Sequence, residues 1–132
     1  MVITVYSRTD DGTVRNKRYV VIHVDDDVVS CIINTEPAGI LKRNPAAMRC
    51  QVVITASDHK FMDYDSYVDC SKVLRLDREL VNDQLFHESW RLLGTISGGL
   101  RDTMIPAITV SSQIAPRIKD ECCASLRACG LK

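Results

Sequence analysis

The chain has no net charge and no long hydrophobic run. Its 17 basic and 17 acidic residues cancel over 132 residues, so the molecule as a whole supplies no long-range attraction for nucleic acid. No stretch approaches the roughly 20 consecutive apolar residues that cross a bilayer, and the first residues lack the basic-then-apolar pattern of a secretory signal. We therefore expect a cytoplasmic protein with no membrane contact, in which any binding of nucleic acid depends on a local patch.

Cysteine and histidine are present, but without the spacing of a metal site. The six cysteines form no Cys-x-x-Cys pair, and the three histidines are scattered, so we predict no metal and no cofactor. Cys31 lies inside an apolar strand pattern. Cys122 repeats at helical spacing with Ile118 and Leu126, so both cysteines are predicted to be small buried core residues. Six thiols without a secretory signal fit a reducing compartment.

The length limits the architecture. At 132 residues and 45% hydrophobic, the chain suffices for one core but is too short for a Rossmann pair or a barrel of eight βα units. It contains no internal repeat, low-complexity tract or linker. We therefore predict a single domain over residues 1–132, with a β barrel over about 1–97 and helices over about 98–129.

Short apolar runs separated by turn signals predict the secondary structure. The predicted strands comprise residues 2–6, 16–22, 28–35, 50–55 and 90–96, and residues 66–70 and 71–76 supply one or two more. A loop or single helical turn is predicted at 41–48 and a helical turn at 83–87. Ser97 is the expected N-cap of an amphipathic helix, in which Pro106 must either produce a kink or lie in the first turn. A second helix is predicted from about Arg117.

The second and third predicted strands form a hairpin with a polar residue at each free end. Arg18 opens the first of them, Thr35 closes the second, and Asp25-Asp26-Asp27 turns the chain between them. In an antiparallel hairpin, residues that open one strand lie near those that close its partner. A planar guanidinium can hold two phosphate oxygens, and a hydroxyl can donate to the same phosphate. The free end of the hairpin is therefore a candidate phosphate site, with a threonine bonded only to backbone as the alternative.

Other candidates for a nucleic-acid site lie nearby in the sequence. His59 belongs to a dense polar motif, and an imidazole titrates near neutrality, as a general base or acid requires; a surface histidine is the alternative. A candidate RNA-binding patch joins Arg15, Lys17 and Arg18 to Lys42 and Arg43, for which a solvated mixed surface is the alternative. Tyr67 is a candidate for stacking on an unpaired base.

The order of these elements resembles the MazF/PemK toxins, which share the CcdB/Kid type of barrel. The resemblance is carried by Arg18 before Val20-Val21-Ile22, an apolar strand that ends at Thr35, and Gly94-Thr95-Ile96-Ser97 leading into a helix that contains Leu100. The stretch 58–68, His-x-Phe followed by Asp-Ser-Tyr-Val, is similar to one in little-characterised relatives of the family. The resemblance covers roughly residues 17–114.

This resemblance implies a mainly β fold with C-terminal α structure: a small SH3-like barrel of MazF/PemK type, followed by one or two helices and assembled as a homodimer. It implies a toxin–antitoxin endoribonuclease that cleaves single-stranded RNA without metal or cofactor and is neutralised by an antitoxin. Arg18 and Thr35 would then form the catalytic site, with His59 as the candidate base or acid.

Two other functions stay open. A catalytically inactive module on the same fold would bind protein or nucleic acid in its groove, and it would capture its partner without cleavage. An accessory protein would instead assemble through its helical tail, with Ile118, Cys122 and Leu126 facing a partner. Deleting the residues after Pro116 would then dissolve the oligomer without unfolding the monomer.

Overall fold

The structure is a computed structural model that describes residues 1–8, 12, 14–36 and 43–129. These residues contain seven strands: β1 (Val2–Arg8), β2 (Val14–Val24), β3 (Val28–Asn34), β4 (Gln51–Ile54), β5 (Ser66–Asp69), β6 (Leu74–Leu76) and β7 (Leu92–Gly94). They also contain a 3-10 turn, Ser89–Arg91, and four α-helices: α1 (Pro45–Met48), α2 (Arg78–His87), α3 (Gly98–Val110) and α4 (Pro116–Ala128).

The seven strands form one curled antiparallel sheet, a half-barrel. Their order is β4-β5-β3-β2-β1-β7, and β6 pairs with the first half of β3. The long strands β2 and β3 therefore lie at the centre of the sheet, while β4 and β7 lie at its edges. This architecture confirms the β-rich body followed by helices that the sequence predicts.

The two faces of the sheet bury different clusters. On β2, Val20 and Ile22 point toward the main core, in which Met104 of α3 and Leu126 of α4 are also buried. Tyr19 points the other way, into a smaller cluster with side chains from β1 and α2. Strand residues alternate between faces, and burying one large aliphatic side chain contributes about 1.5–3 kcal/mol. Helices α3 and α4 thus cover one face and α2 covers part of the other.

The predicted hairpin is confirmed. Strands β2 and β3 pair antiparallel from Arg18 opposite Ile33 to Val24 opposite Val28, with an irregularity in register before His23. The turn is closed by Asp25, whose Oδ1 accepts a hydrogen bond of 2.8 Å from the backbone N–H of Asp27.

The helices confirm some expectations and correct others. Ser97 is the N-cap of α3, and its Oγ accepts from the backbone N–H of Leu100 at 3.1 Å. Pro106 lies in the interior of α3, so the first-turn alternative is wrong. The helical turn predicted at 83–87 is a ten-residue helix that begins five residues earlier, at Arg78. Asp77 caps it by accepting from the backbone N–H of Glu79. The strand predicted over 90–96 is shorter, since its first part is the 3-10 turn.

The C-terminal helix belongs to the core. Cys122 and Leu126 are buried in the main cluster, and Ile118 packs against it. The premise of the accessory-protein alternative, that this stripe faces a partner, is therefore wrong. Cys31 is completely buried on β3, as predicted. No helix in the described ranges has both the length and the apolar character that a membrane span requires.

Candidate functional site

Arg18 lies at the free end of the hairpin, on the sheet face that carries the main core. Its neighbours across the sheet are Thr4 on β1 and Ile33 on β3. The half-exposed guanidinium has two long contacts, with Nη1 at 3.8 Å from the sulfur of Met62 and Nη2 at 3.9 Å from Oδ2 of Asp63. A guanidinium has five N–H donors, and a thioether is a weak acceptor. Arg18 therefore retains the capacity to bind an anion.

Thr35 follows β3 directly and is exposed. Its Oγ1 lies 3.4 Å from the hydroxyl of Tyr64, which is 53% exposed. Tyr64 follows Asp63 in the loop between β4 and β5, which comprises residues 55–65 and is here called the β4–β5 loop. Arg18 and Thr35 therefore contact consecutive residues of the β4–β5 loop. Arg18 lies beside Asp63, and Thr35 lies beside Tyr64.

His59 belongs to the same loop but is buried, with 2% of its surface exposed. Its Nε2 accepts from the backbone N–H of Ser97 at 3.0 Å, and its Nδ1 lies 2.9 Å from the carbonyl oxygen of Thr55. Because the N–H of Ser97 can only donate, the ring proton belongs on Nδ1. Both ring nitrogens are therefore engaged by backbone. This geometry supports a structural role for His59, and the predicted catalytic role stays a prediction.

The β4–β5 loop also spans the open side of the half-barrel. The ring of Phe61 lies so close to Gly94 on β7 that a Cβ at that position would be 2.8 Å from Cδ1 of Phe61. The rings of His59 and Phe61 contact each other edge to face, with centroids 5.6 Å apart. A loop that starts at one edge strand is thus attached to the other edge strand. These attachments position Met62, Asp63 and Tyr64 over the free end of the hairpin.

The structure does not bring Lys17 or Tyr67 to the side of the sheet that carries Arg18. Lys17 and Tyr67 lie on the opposite sheet face, because adjacent strand residues alternate and Tyr67 is next to the buried Val68. Arg43 is exposed before α1. Lys42 lies outside the described residues. Lys17 and Tyr67 therefore belong to a different surface from the Arg18–Thr35 end.

Arg91 is a charged residue at this end that the sequence analysis missed. Its side chain is buried, with Nη1 2.7 Å from Oδ1 of Asn16 and Nη2 3.1 Å from a carboxylate oxygen of Glu88. Its guanidinium also stacks on the ring of Trp90 at 4.5 Å. Asn16 precedes Arg18 by two residues on the same face of β2. Arg91 thus fixes a polar neighbour of Arg18, and a basic residue after a lone tryptophan was the available signal.

Two carboxylates of the region have structural roles. Oδ1 of Asp65 accepts from the backbone N–H of Ala56 at 2.9 Å and closes the β4–β5 loop. Asp69 is buried and accepts from the side chain of Gln51 at 2.9 Å and the backbone N–H of Ser71 at 3.0 Å. Asp63 remains the exposed carboxylate beside Arg18. Comparison with known proteins adds no assignment, since neither a protein-family model nor a curated protein matches the chain.

Proposed function

We propose that the protein is a metal-independent endoribonuclease of toxin–antitoxin type, which cleaves single-stranded RNA at the free end of the β2–β3 hairpin. The observation that carries the proposal is the placement of Asp63 and Tyr64 against Arg18 and Thr35. A cation, a carboxylate and two hydroxyl groups lie along one edge of an accessible surface. Metal-free cleavage of RNA needs groups of these kinds.

Cleavage without a metal requires a base for the 2′-hydroxyl, a cation for the charge that grows on the phosphorane oxygens, and an acid for the departing 5′-oxygen. Arg18 has the second role, because its guanidinium stays charged at physiological pH and its donors suit two phosphate oxygens. Thr35 and Tyr64 supply hydroxyl donors that orient the same phosphate.

Asp63 is the group that we assign as the base. Its carboxylate is 82% exposed and lies 3.9 Å from Arg18, so an RNA phosphate that binds the guanidinium approaches Asp63 as well. His59 is less suited, since both of its ring nitrogens are hydrogen-bonded to backbone and its ring is buried. His59 then acts as a positioning residue, through the loop that carries Asp63.

The proposal includes an SH3-like barrel of MazF/PemK type, a cytoplasmic homodimer and a neutralising antitoxin. The curled antiparallel sheet with two C-terminal helices on one face supports this choice of fold. An antitoxin would neutralise the enzyme by covering the Arg18 end, so a bound antitoxin and bound RNA should compete.

The test is incubation of the purified protein with a long single-stranded RNA in the presence of EDTA, with the new ends mapped for cyclic phosphate. We expect Arg18→Ala to reduce cleavage by about 10²–10³-fold, the usual cost of removing a group that stabilises transition-state charge. Arg127→Ala, an exposed arginine in the last turn of α4, is the matched control and should cleave like the wild type.

The contacts of the Arg18 side chain with Met62 and Asp63 are long, at 3.8 and 3.9 Å. Arg18→Ala should therefore leave the circular dichroism spectrum unchanged, so that a loss of cleavage reports on the site and not on folding. Equal cleavage by wild type and Arg18→Ala would reject the proposal. So would cleavage that EDTA abolishes, because the mechanism needs no divalent ion.

The second candidate is a non-catalytic binding module on the same fold. The engagement of both nitrogens of His59 favours it, since the loop then lacks a free imidazole for proton transfer. Intact RNA together with measurable RNA binding would support this candidate. RNA affinity that falls steeply with salt would identify phosphates as the main contact, and salt-insensitive affinity would exclude them.

A further inference from the structure

Three side chains with metal-binding atoms converge at the turn end of the β2–β3 hairpin. They are His23 on β2, Asp25 in the turn and Glu121 on α4, and one ligand atom from each lies within 4.8 Å of the other two. Arg18 precedes His23 by five residues on the same strand, which corresponds to about 16 Å. This group, here called the turn-end cluster, is therefore separate from the proposed RNA site.

The imidazole of His23 is oriented as a ligand. Its Nδ1 lies 2.5 Å from the hydroxyl oxygen of Ser125, and its Nε2 lies 4.0 Å from Oε2 of Glu121. Metal-binding histidines donate the N–H of their other ring nitrogen to a polar group, which fixes the tautomer. In the tautomer that carries its proton on Nδ1 and donates it to Ser125, the lone pair of Nε2 faces the carboxylate of Glu121.

The distance between Nε2 of His23 and Oε2 of Glu121 leaves room for one ion bound by both atoms. A separation of 4.0 Å is too long for a hydrogen bond. Two ligand atoms that each lie about 2.1 Å from one ion can be up to about 4.2 Å apart. The other oxygen of Glu121, Oε1, lies 3.8 Å from Nε of Arg117. Glu121 therefore presents one oxygen to an outer partner and one to the histidine.

The carboxylate of Asp25 is also oriented by polar neighbours. Its Oδ1 accepts from the backbone N–H of Asp27 at 2.8 Å, and Nη1 of Arg75 lies 3.1 Å from each of its oxygens. A carboxylate has about four acceptor sites, so Oδ2 keeps one for a cation. Arg75 also contacts Asp27 at 3.7 Å, and Nη1 of Arg78 donates to the carbonyl oxygen of Asp25 at 3.1 Å. These guanidinium groups hold the turn in place around the Asp25 carboxylate.

We propose that His23, Asp25 and Glu121 bind a divalent first-row transition-metal ion, for which Zn²⁺ is the test ion. One imidazole nitrogen and two carboxylate oxygens are ligands that Zn²⁺ accepts, whereas Mg²⁺ and Ca²⁺ favour sites made only of oxygen. Since Glu121 belongs to α4 and Asp25 to the hairpin turn, the ion joins the C-terminal helix to the central hairpin.

The test is titration of the EDTA-stripped and dialysed protein with Zn²⁺ by calorimetry, in parallel with thermal unfolding. We expect His23→Gln and Glu121→Gln each to weaken binding by at least about 10-fold, and the increase in Tm that Zn²⁺ gives the wild type to be lost. Ser125→Ala keeps all three ligands and should weaken binding by about 10–100-fold, since it removes the group that orients the imidazole.

His87→Gln is the matched control. Nδ1 of His87 lies 3.3 Å from Oδ1 of Asp83 on exposed α2, so this pair is a second place where an ion could bind without a built site. The His87→Gln variant should retain the wild-type affinity for Zn²⁺. Loss of binding in His87→Gln with retention in His23→Gln would overturn the proposal, as would equal affinity for Mg²⁺ and Zn²⁺ or no Zn²⁺ binding.

A Co²⁺ spectrum tests the ligand chemistry independently of affinity. The exposed Cys129 could also take up a soft ion, and a thiolate ligand would add an intense charge-transfer band. We expect d–d bands without that band in the wild type, and their loss in His23→Gln. A thiolate band would assign the ion to cysteine and overturn the proposal.

Discussion

The two ends of the β2–β3 hairpin are both polar, but they are held in different ways. At the free end, Arg18 has contacts of 3.8 and 3.9 Å with Met62 and Asp63. At the turn end, Asp25 accepts hydrogen bonds of 2.8 and 3.1 Å. A cation held by long contacts can exchange them for a phosphate, whereas a carboxylate held by short bonds keeps its orientation. The first arrangement suits a substrate site, and the second suits a fixed binding site.

The two ends also depend on different parts of the chain. The free end is covered by the β4–β5 loop, which is attached through His59 to Ser97 and through Phe61 to Gly94. The turn end is covered by α4 and by β6, which carries Arg75. Buried strand residues lie between them. Each end can therefore be perturbed without the other, and this independence can be tested.

The largest effect on the free end should come from His59→Ala. The substitution leaves the backbone N–H of Ser97 and the carbonyl of Thr55 without their partner in a buried site, so we expect a loss of about 3 kcal/mol in the free energy of unfolding. Urea unfolding followed by circular dichroism measures it. His87→Ala, an exposed histidine, should change stability by less than about 0.5 kcal/mol. Loss of RNA cleavage with unchanged stability would contradict the structural role.

A smaller effect should come from Gly94→Ala. The new Cβ would lie 2.8 and 2.9 Å from two carbons of the Phe61 ring, so the loop must shift, at a cost of about 1–3 kcal/mol. Phe61→Leu in the same chain should restore part of the loss, because the clash is with the ring.

Gly98→Ala is the control for this substitution. Its Cβ would meet its nearest atom, on the flexible side chain of Arg101, at 3.7 Å, which is ordinary contact. If Gly94→Ala is as stable as Gly98→Ala, the loop is not fastened through Phe61. If Gly94→Ala alters Zn²⁺ affinity, the two hairpin ends are not independent.

The hairpin could be predicted from sequence because its signals are local. Alternating apolar residues and the Asp25-Asp26-Asp27 turn each act within a few residues, as does the Ser97 cap of α3. The same alternation also separates Lys17 from Arg18, since neighbours on a strand point to opposite faces. Strand alternation alone therefore argues against one patch that contains both Lys17 and Arg18.

Other parts of both ends depend on contacts that sequence patterns do not encode. His59 bonds to Ser97, 38 residues later, so a polar motif could not distinguish a buried structural histidine from a catalytic one. Glu121 joins His23 and Asp25 across almost the whole chain. Metal-site prediction from Cys and His spacing finds only ligands that are close in sequence, and therefore indicated no site here.

The smallest expected effect is a pH dependence at the turn end. The backbone N–H of Asp27, and after it the guanidinium of Arg75, hold the pKa of Asp25 below its ordinary value. Because its pKa is lower in the folded state than in the unfolded state, the ionised carboxylate of Asp25 stabilises the fold. This stabilisation is fully present above the unfolded-state pKa of about 3.9 and is lost as the pH falls through the folded-state pKa. With EDTA present, Asp25→Asn should therefore lower the urea midpoint at pH 7, and its difference from wild type should shrink below about pH 4. Asp26→Asn, the exposed neighbour in the same turn, is the matched control. Equal, pH-independent shifts in both variants would show that the Asp25–Arg75 contact does not hold the turn.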